Sequence, residues 1–160
     1  RWGNFTNHYK GILFEPDPRE YQQLKSNASD NLLVLETALL DLKKETDFYL
    51  CKKQELSSVF SPNFSLLDKF YDPERFIVIK KIKLNTDKLD TVLRKNRIKN
   101  IDFIKLDTQG SELLIIKGST ASLQKAIGLQ VEVNFVELYN NQPLFNDVDD
   151  FISVLGKCIG

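Results

Sequence analysis

Three places in the sequence put acidic side chains where chemistry could use them. Glu15 follows the short apolar run Gly11-Ile12-Leu13-Phe14, and a carboxylate at a strand end can accept two hydrogen bonds from a ribose diol. Asp107-Thr108-Gln109-Gly110-Ser111-Glu112 sets one acid at the end of a second apolar run, a glycine at a tight turn, and another acid in the first turn of a helix. Two carboxylates near one pocket could act as a general base, stabilise a sulfonium cation or hold a divalent metal. Glu132 and Asn134 share the polar face of a run whose other face is Leu129, Val131, Val133 and Phe135. A buried acid is costly without a partner, so Glu132 is expected to reach a cavity, a cation or a donor. Each acid also has a plainer reading. Glu15 can simply precede a helix N-terminus, and Asp107 and Glu112 can cap one, where negative charge is favourable without any function. Position alone favours function for Asp107 and capping for Glu112.

The elements that must carry these residues alternate between strand and helix signals, which predicts an α/β layered domain with a largely parallel sheet. Gly11-Ile12-Leu13-Phe14 and Leu32-Leu33-Val34-Leu35 are continuous apolar runs, the pattern of strands covered on both faces. Between them a helix is expected, with Asp17 as cap, Pro18 in its first turn, Glu20 completing a capping box, and Tyr21, Leu24 and Ala28 on one face. Phe48-Tyr49-Leu50 is a weaker strand, followed by a Ser-, Pro- and Asn-rich connection through Pro62 and Pro73. Residues 76–84 read as a strand nearer an edge. Thr86 or Asp87 is expected to open a helix with Leu89, Val92 and Leu93 inward. Residues 101–106 are a strand, the next helix stops near Gly118, and residues 129–135 form the alternating strand. Val148, Phe151, Ile152 and Leu155 mark a last helix ended by Gly156. No internal repeat appears, so one domain spanning residues 1–160 is expected.

Composition excludes several classes. With 42% hydrophobic and 28% charged residues over 160, the chain has the material for a single core. Lys plus Arg and Asp plus Glu number 22 each, so no net field points toward nucleic acid or an anionic membrane. Lys80-Lys81-Ile82-Lys83 reads as the solvated face of a strand. No apolar run approaches the roughly 20 residues of a membrane-spanning helix. No signal peptide is visible, and a cytoplasmic location is expected. Cys51 and Cys158, without a CxxC partner, read as buried or incidental thiols, and His8 as solvent-exposed. Triplets of glycosylation type at Asn4, Asn27 and Asn63 carry little weight in an Asn-rich chain.

Several segments taken together resemble the FkbM family of methyltransferases. They are Phe14-Glu15-Pro16-Asp17-Pro18, Ala38-Leu39, Ser57-Ser58, the run from Ile101 through Lys105, Asp107, Gln109 and Gly110 to Glu112, and Val131-Glu132-Val133 with Leu138-Tyr139 and Gln142-Pro143-Leu144-Phe145. The resemblance implies a Rossmann-like class I methyltransferase, a three-layer sandwich with a mostly parallel sheet, binding S-adenosyl-L-methionine. By it, Glu15 would hold the ribose hydroxyls with Asp17 close by. Thr37, Ala38 and Leu39 would border the adenine, and Asp107 would sit beside the transferring methyl. O-methylation of a hydroxyl on a small molecule or a sugar is the implied reaction. Asp107, Glu112 and Glu132 are the candidates for the base or for acceptor binding. A metal-assisted version stays open on ligand type, although no metal-specific spacing supports it.

Such domains begin with a central strand leading into a glycine-rich loop, and nothing before Gly11 resembles that segment. Residues 1–9 look like the tail of the connection after it, and the chain stops near where a sixth strand would begin. The expectation is therefore a domain incomplete at the N-terminus and at the C-terminus. The rival readings are a non-catalytic binding module and a nucleotide-dependent oxidoreductase, the latter disfavoured by the run from Lys105 to Glu112.

Overall fold

The computed structural model describes residues 9–157. His8, the triplet at Asn4, Cys158 and nearly all of the connection read over residues 1–9 lie outside the described residues. The chain divides into two compact units, residues 1–38 and residues 39–160.

The first unit holds β1 (Gly11–Phe14), α1 (Pro18–Ser26) and β2 (Leu32–Leu35). The two strands pair in parallel, from Gly11 opposite Leu32 to Phe14 opposite Leu35. They are half-buried rather than covered on both faces, and Leu33 is 41% exposed. Two strands and one helix offer too few neighbours to enclose them. Asp17 caps α1 through a 2.9 Å bond from the Arg19 amide, with Pro18 at the first helical position. The capping box expected from Glu20 is replaced. The chain turns so sharply after β1 that Glu15 folds back and its Oε1 accepts the Asp17 amide at 2.8 Å. Tyr21 is buried and Leu24 half-buried, whereas Ala28 lies beyond the helix end.

A three-stranded sheet in the order β3 (Ala38–Leu39), β5 (Val78–Asp87), β4 (Glu45–Cys51) begins at the boundary between the units and otherwise belongs to the second. β4 and β5 are antiparallel, with a register irregularity between Leu50 and Cys51. β5 is thus central, not near an edge. Its lysines mark a solvent-facing side rather than an unpaired flank: Lys81 and Lys83 each reach Asp47 on β4 at 2.7 Å. Thr86 and Asp87 close this strand instead of opening a helix. The Thr86 hydroxyl bonds the Leu42 carbonyl at 2.9 Å, and α3 (Leu89–Lys95) starts after Lys88, whose amide donates to Asp87 Oδ1. Leu89, Val92 and Leu93 face inward as their spacing predicts.

The connection after β4 is built from short turns and α2 (Phe64–Leu67), packed so that Leu67, Phe76 and Tyr139 form a buried cluster. β6 (Phe103–Leu106) then pairs in parallel with β7 (Gly128–Val131), joined through α4 (Glu112–Lys117) and α5 (Thr120–Leu123). Gly118 ends α4 for a packing reason: a Cβ there would sit 2.3 Å from the Leu40 carbonyl oxygen. The strand expected to run to Phe135 stops at Val131, because β6 turns away at Asp107 and offers no further partner. Its last rung is the Glu132 amide to the Leu106 carbonyl, 2.9 Å. Glu132 is therefore exposed just past a strand end, not buried within one, and Phe135 is 74% exposed. α6 (Phe145–Lys157) carries Val148 inward and continues through Gly156 rather than ending there. Among the described residues the result is a mixed α/β chain with three small sheets, two of them parallel pairs and one holding the antiparallel β4–β5 pair, in place of one largely parallel sheet.

Candidate active site

β6 ends at Leu106 and β7 at Val131, so two adjacent parallel strands deliver Asp107 and Glu132 side by side at their carboxyl ends. This nonlocal pairing brings the two acids together. The two carboxyls interact, and a hydrogen bond between them shifts their titrations in opposite directions. Glu132 is pushed up to about 7, first by that bond, then by loss of hydration, then by the charges of Asp107 and Glu112. Asp107 is held below the ordinary carboxylate range by the same bond and by Lys105, whose Nζ donates to Oδ2 at 2.8 Å. The Lys105–Asp107 pair is 49% and 45% exposed, so it is worth about 1 kcal/mol or less and acts mainly on charge and orientation. On its other oxygen Asp107 accepts from Gln109 Nε2 at 3.3 Å.

The turn after Asp107 is held by Glu112, which is 5% exposed. Its Oε1 accepts the Thr108 amide at 2.6 Å and the Gly110 amide at 3.4 Å. The acid expected either to cap or to catalyse is thus engaged by the loop it follows. Gly110 has φ of 99°, where a side chain is strained, and a Cβ would also meet Gln142 at 3.1 Å.

In the first unit, Glu15 sits at the end of β1, half-buried, and burial pushes its carboxyl up despite the Asp17 amide bond. Only Oε1 is engaged by a described residue. Asp17, 2% exposed, is occupied by its cap and by the Arg19 guanidinium. Thr37 is half-buried, and Ala38 and Leu39 are buried.

A family model described as the methyltransferase FkbM domain matches residues 3–158. The chain belongs to the FkbM methyltransferase family. No curated protein and no solved structure matches it. In this FkbM domain Asp107 follows a strand as the sequence reading expected, Glu132 lies just past the end of β7 rather than within a strand, and Glu112 is the first residue of α4. Sequence reasoning assigned no role to Lys105, Gln109, Ser58 or Tyr139, although all four lie in the segments that carry the family resemblance. A glutamine directly before a glycine in a strand-to-helix turn was the available signal. Among the described residues, no helix is long and apolar enough to cross a membrane, and no group of three or more His, Cys, Asp or Glu could hold a metal ion. An open groove of about 580 Å³ lies beside Ile101, ahead of β6. Its one lining acid, Asp90, accepts hydrogen bonds from the Ala121 and Ser122 amides.

Proposed function

We propose that this FkbM domain transfers a methyl group from S-adenosyl-L-methionine to a hydroxyl oxygen of a small molecule or a sugar, within a Rossmann-like three-layer frame and in the cytoplasm. The observation that supports the reaction is the Asp107–Glu132 pair, because a carboxyl that releases its proton near 7 suits a general base working at neutral pH. When bound, the donor supplies an electrophilic methyl on a sulfonium. The acceptor hydroxyl lies against Glu132, whose carboxylate takes its proton as the oxygen attacks in line. Glu132 would thereby hold the proton released when the acceptor oxygen bonds the methyl and the donor, its S–C bond broken, departs as the thioether. Asp107 stays ionised under the donation of Lys105 and Gln109, and it accepts the hydrogen bond of the newly protonated Glu132. Its negative charge also suits a neighbouring sulfonium.

For the donor, Glu15 fits the ribose hydroxyls, since it is half-buried at a strand end and one of its oxygens bonds no described residue. Asp17 holds the turn that presents Glu15, and Thr37, Ala38 and Leu39 supply mostly apolar surface for the adenine. Glu112 serves by holding the 108–110 turn rather than as the base.

The test is transfer of labelled methyl to a panel of sugars and hydroxylated small molecules, with donor binding followed by calorimetry. Glu132→Gln should lower kcat by about 100-fold or more while donor affinity stays within a few-fold. Turnover unchanged in E132Q would overturn its role as base. Tight donor binding with no turnover by the native chain would indicate a non-catalytic module.

A further inference from the structure

We propose that Gln109 is the positioning residue of the acid pair, held by Tyr139 and Ser58 so that its amide fixes the Asp107 carboxylate against Glu132. The proposal rests on the reading of Asp107 and Glu132 as the proton-handling pair.

Gln109 has φ of 57°, a left-handed conformation that glutamine seldom adopts and keeps only when its surroundings enforce it. Three bonds do so. Its carbonyl accepts from the Ser58 hydroxyl at 2.7 Å, and Ser58, 1% exposed, is itself fixed by paired backbone bonds with Tyr49 at 2.8 and 3.2 Å. Its Oε1 lies 3.1 Å from the Tyr139 hydroxyl, and its Nε2 donates to Asp107 Oδ1 at 3.3 Å.

Tyr139 is fully buried, with its amide bonded to Gln142 Oε1 at 2.7 Å and its hydroxyl also 2.9 Å from the Leu56 carbonyl. The single Tyr139 proton is shared between the Leu56 carbonyl and Gln109 Oε1, and the Asp107 carboxylate, which can only accept, requires the NH2 group of Gln109 to face it. A carboxylate at position 109 would repel Asp107, and an asparagine would be one methylene too short to span both partners. The charged groups facing the pair are Lys105 on β6 and Glu112 at the start of α4, and Gln109 adds the neutral donor that completes the set.

Two variants of the full chain separate positioning from mere structure. Gln109→Asn keeps a residue that tolerates the left-handed backbone but cannot reach Asp107. Tyr139→Phe keeps Gln109 and removes the hydroxyl that orients it. Carbon-13 titration of the side-chain carboxyls should show the Asp107 midpoint moving up by about half a pH unit or more in Q109N. The shift in Y139F should have the same direction and be smaller. In turnover, Q109N should lower kcat about tenfold, leave the KM for the donor within twofold, and move the acidic limb of the pH profile upward. An Asp107 titration unmoved in both variants would overturn the proposal, whatever their melting temperatures. The titration needs no methyl transfer, so an inert native chain would count against the proposed reaction and not against the positioning.

Discussion

A carboxyl that binds its proton more tightly in the folded chain than in the unfolded one favours folding for as long as the folded chain holds that proton. Glu132 is such a group, with an ordinary value of 4.5 raised to about 7. Its contribution is fully present below about 4.5 and is lost as pH rises through 7. Asp107, shifted the other way, contributes above its ordinary 3.8 and loses that contribution only as pH falls through its lowered folded value. Between pH 5 and 8 the Glu132 effect therefore sets the sign for the pair. The urea midpoint of the native chain should be higher at pH 5 than at pH 8 by more than it is in Glu132→Gln. Equal pH dependence in the two chains would refute the raised Glu132 value. At this scale Asp107 was legible because its position depends on local signals, an apolar run and a Gly-containing turn. The environment of Glu132 was not, because it depends on where β7 ends against β6, more than twenty residues away.

At the scale of elements, local pattern located strands and helices well and misjudged their neighbours. The lysines of β5 suggested an edge, yet a solvated face and an open flank look alike in one strand's sequence. Glycine at a helix end was equally ambiguous, and the two cases make opposite predictions. Gly118→Ala would put a methyl 2.3 Å from the Leu40 carbonyl oxygen, backbone that cannot swing aside. It should destabilise the chain by about 3 kcal/mol or more. Gly156 lies inside α6, and nothing comes within 4 Å of its missing Cβ. Gly156→Ala should therefore stabilise by about 0.5–1 kcal/mol through helix propensity alone. Urea unfolding of both variants checks the pair. A mild effect at 118 would mean that α4 does not pack on the Leu40 backbone.

Across the whole molecule, the sequence predicted the α/β alternation but not the grouping of strands, since grouping depends on contacts far apart in the chain. That grouping has a dynamic consequence. β5 has a partner on each side, and its neighbour β4 buries Phe48, Leu50 and Cys51. β1 pairs with β2 alone among the described strands, and every residue of β1 stays half-buried. Amide protection follows the cost of local opening, which rises with buried apolar area and with the number of paired neighbours. Native-state hydrogen exchange should thus find the β1–β2 amides opening at least tenfold more readily than those between β4 and β5. Glu15 stands at the end of β1, so the residue proposed to hold the donor's ribose lies on the less protected unit. Saturating S-adenosyl-L-methionine should then slow exchange in β1 and in the turn to α1 by mass action, leaving β4–β5 largely as before. If β1–β2 already exchanges with the slowest set in the absence of donor, the ranking of the two units drawn from burial is wrong. If donor leaves β1 unchanged while binding elsewhere, Glu15 is not its contact.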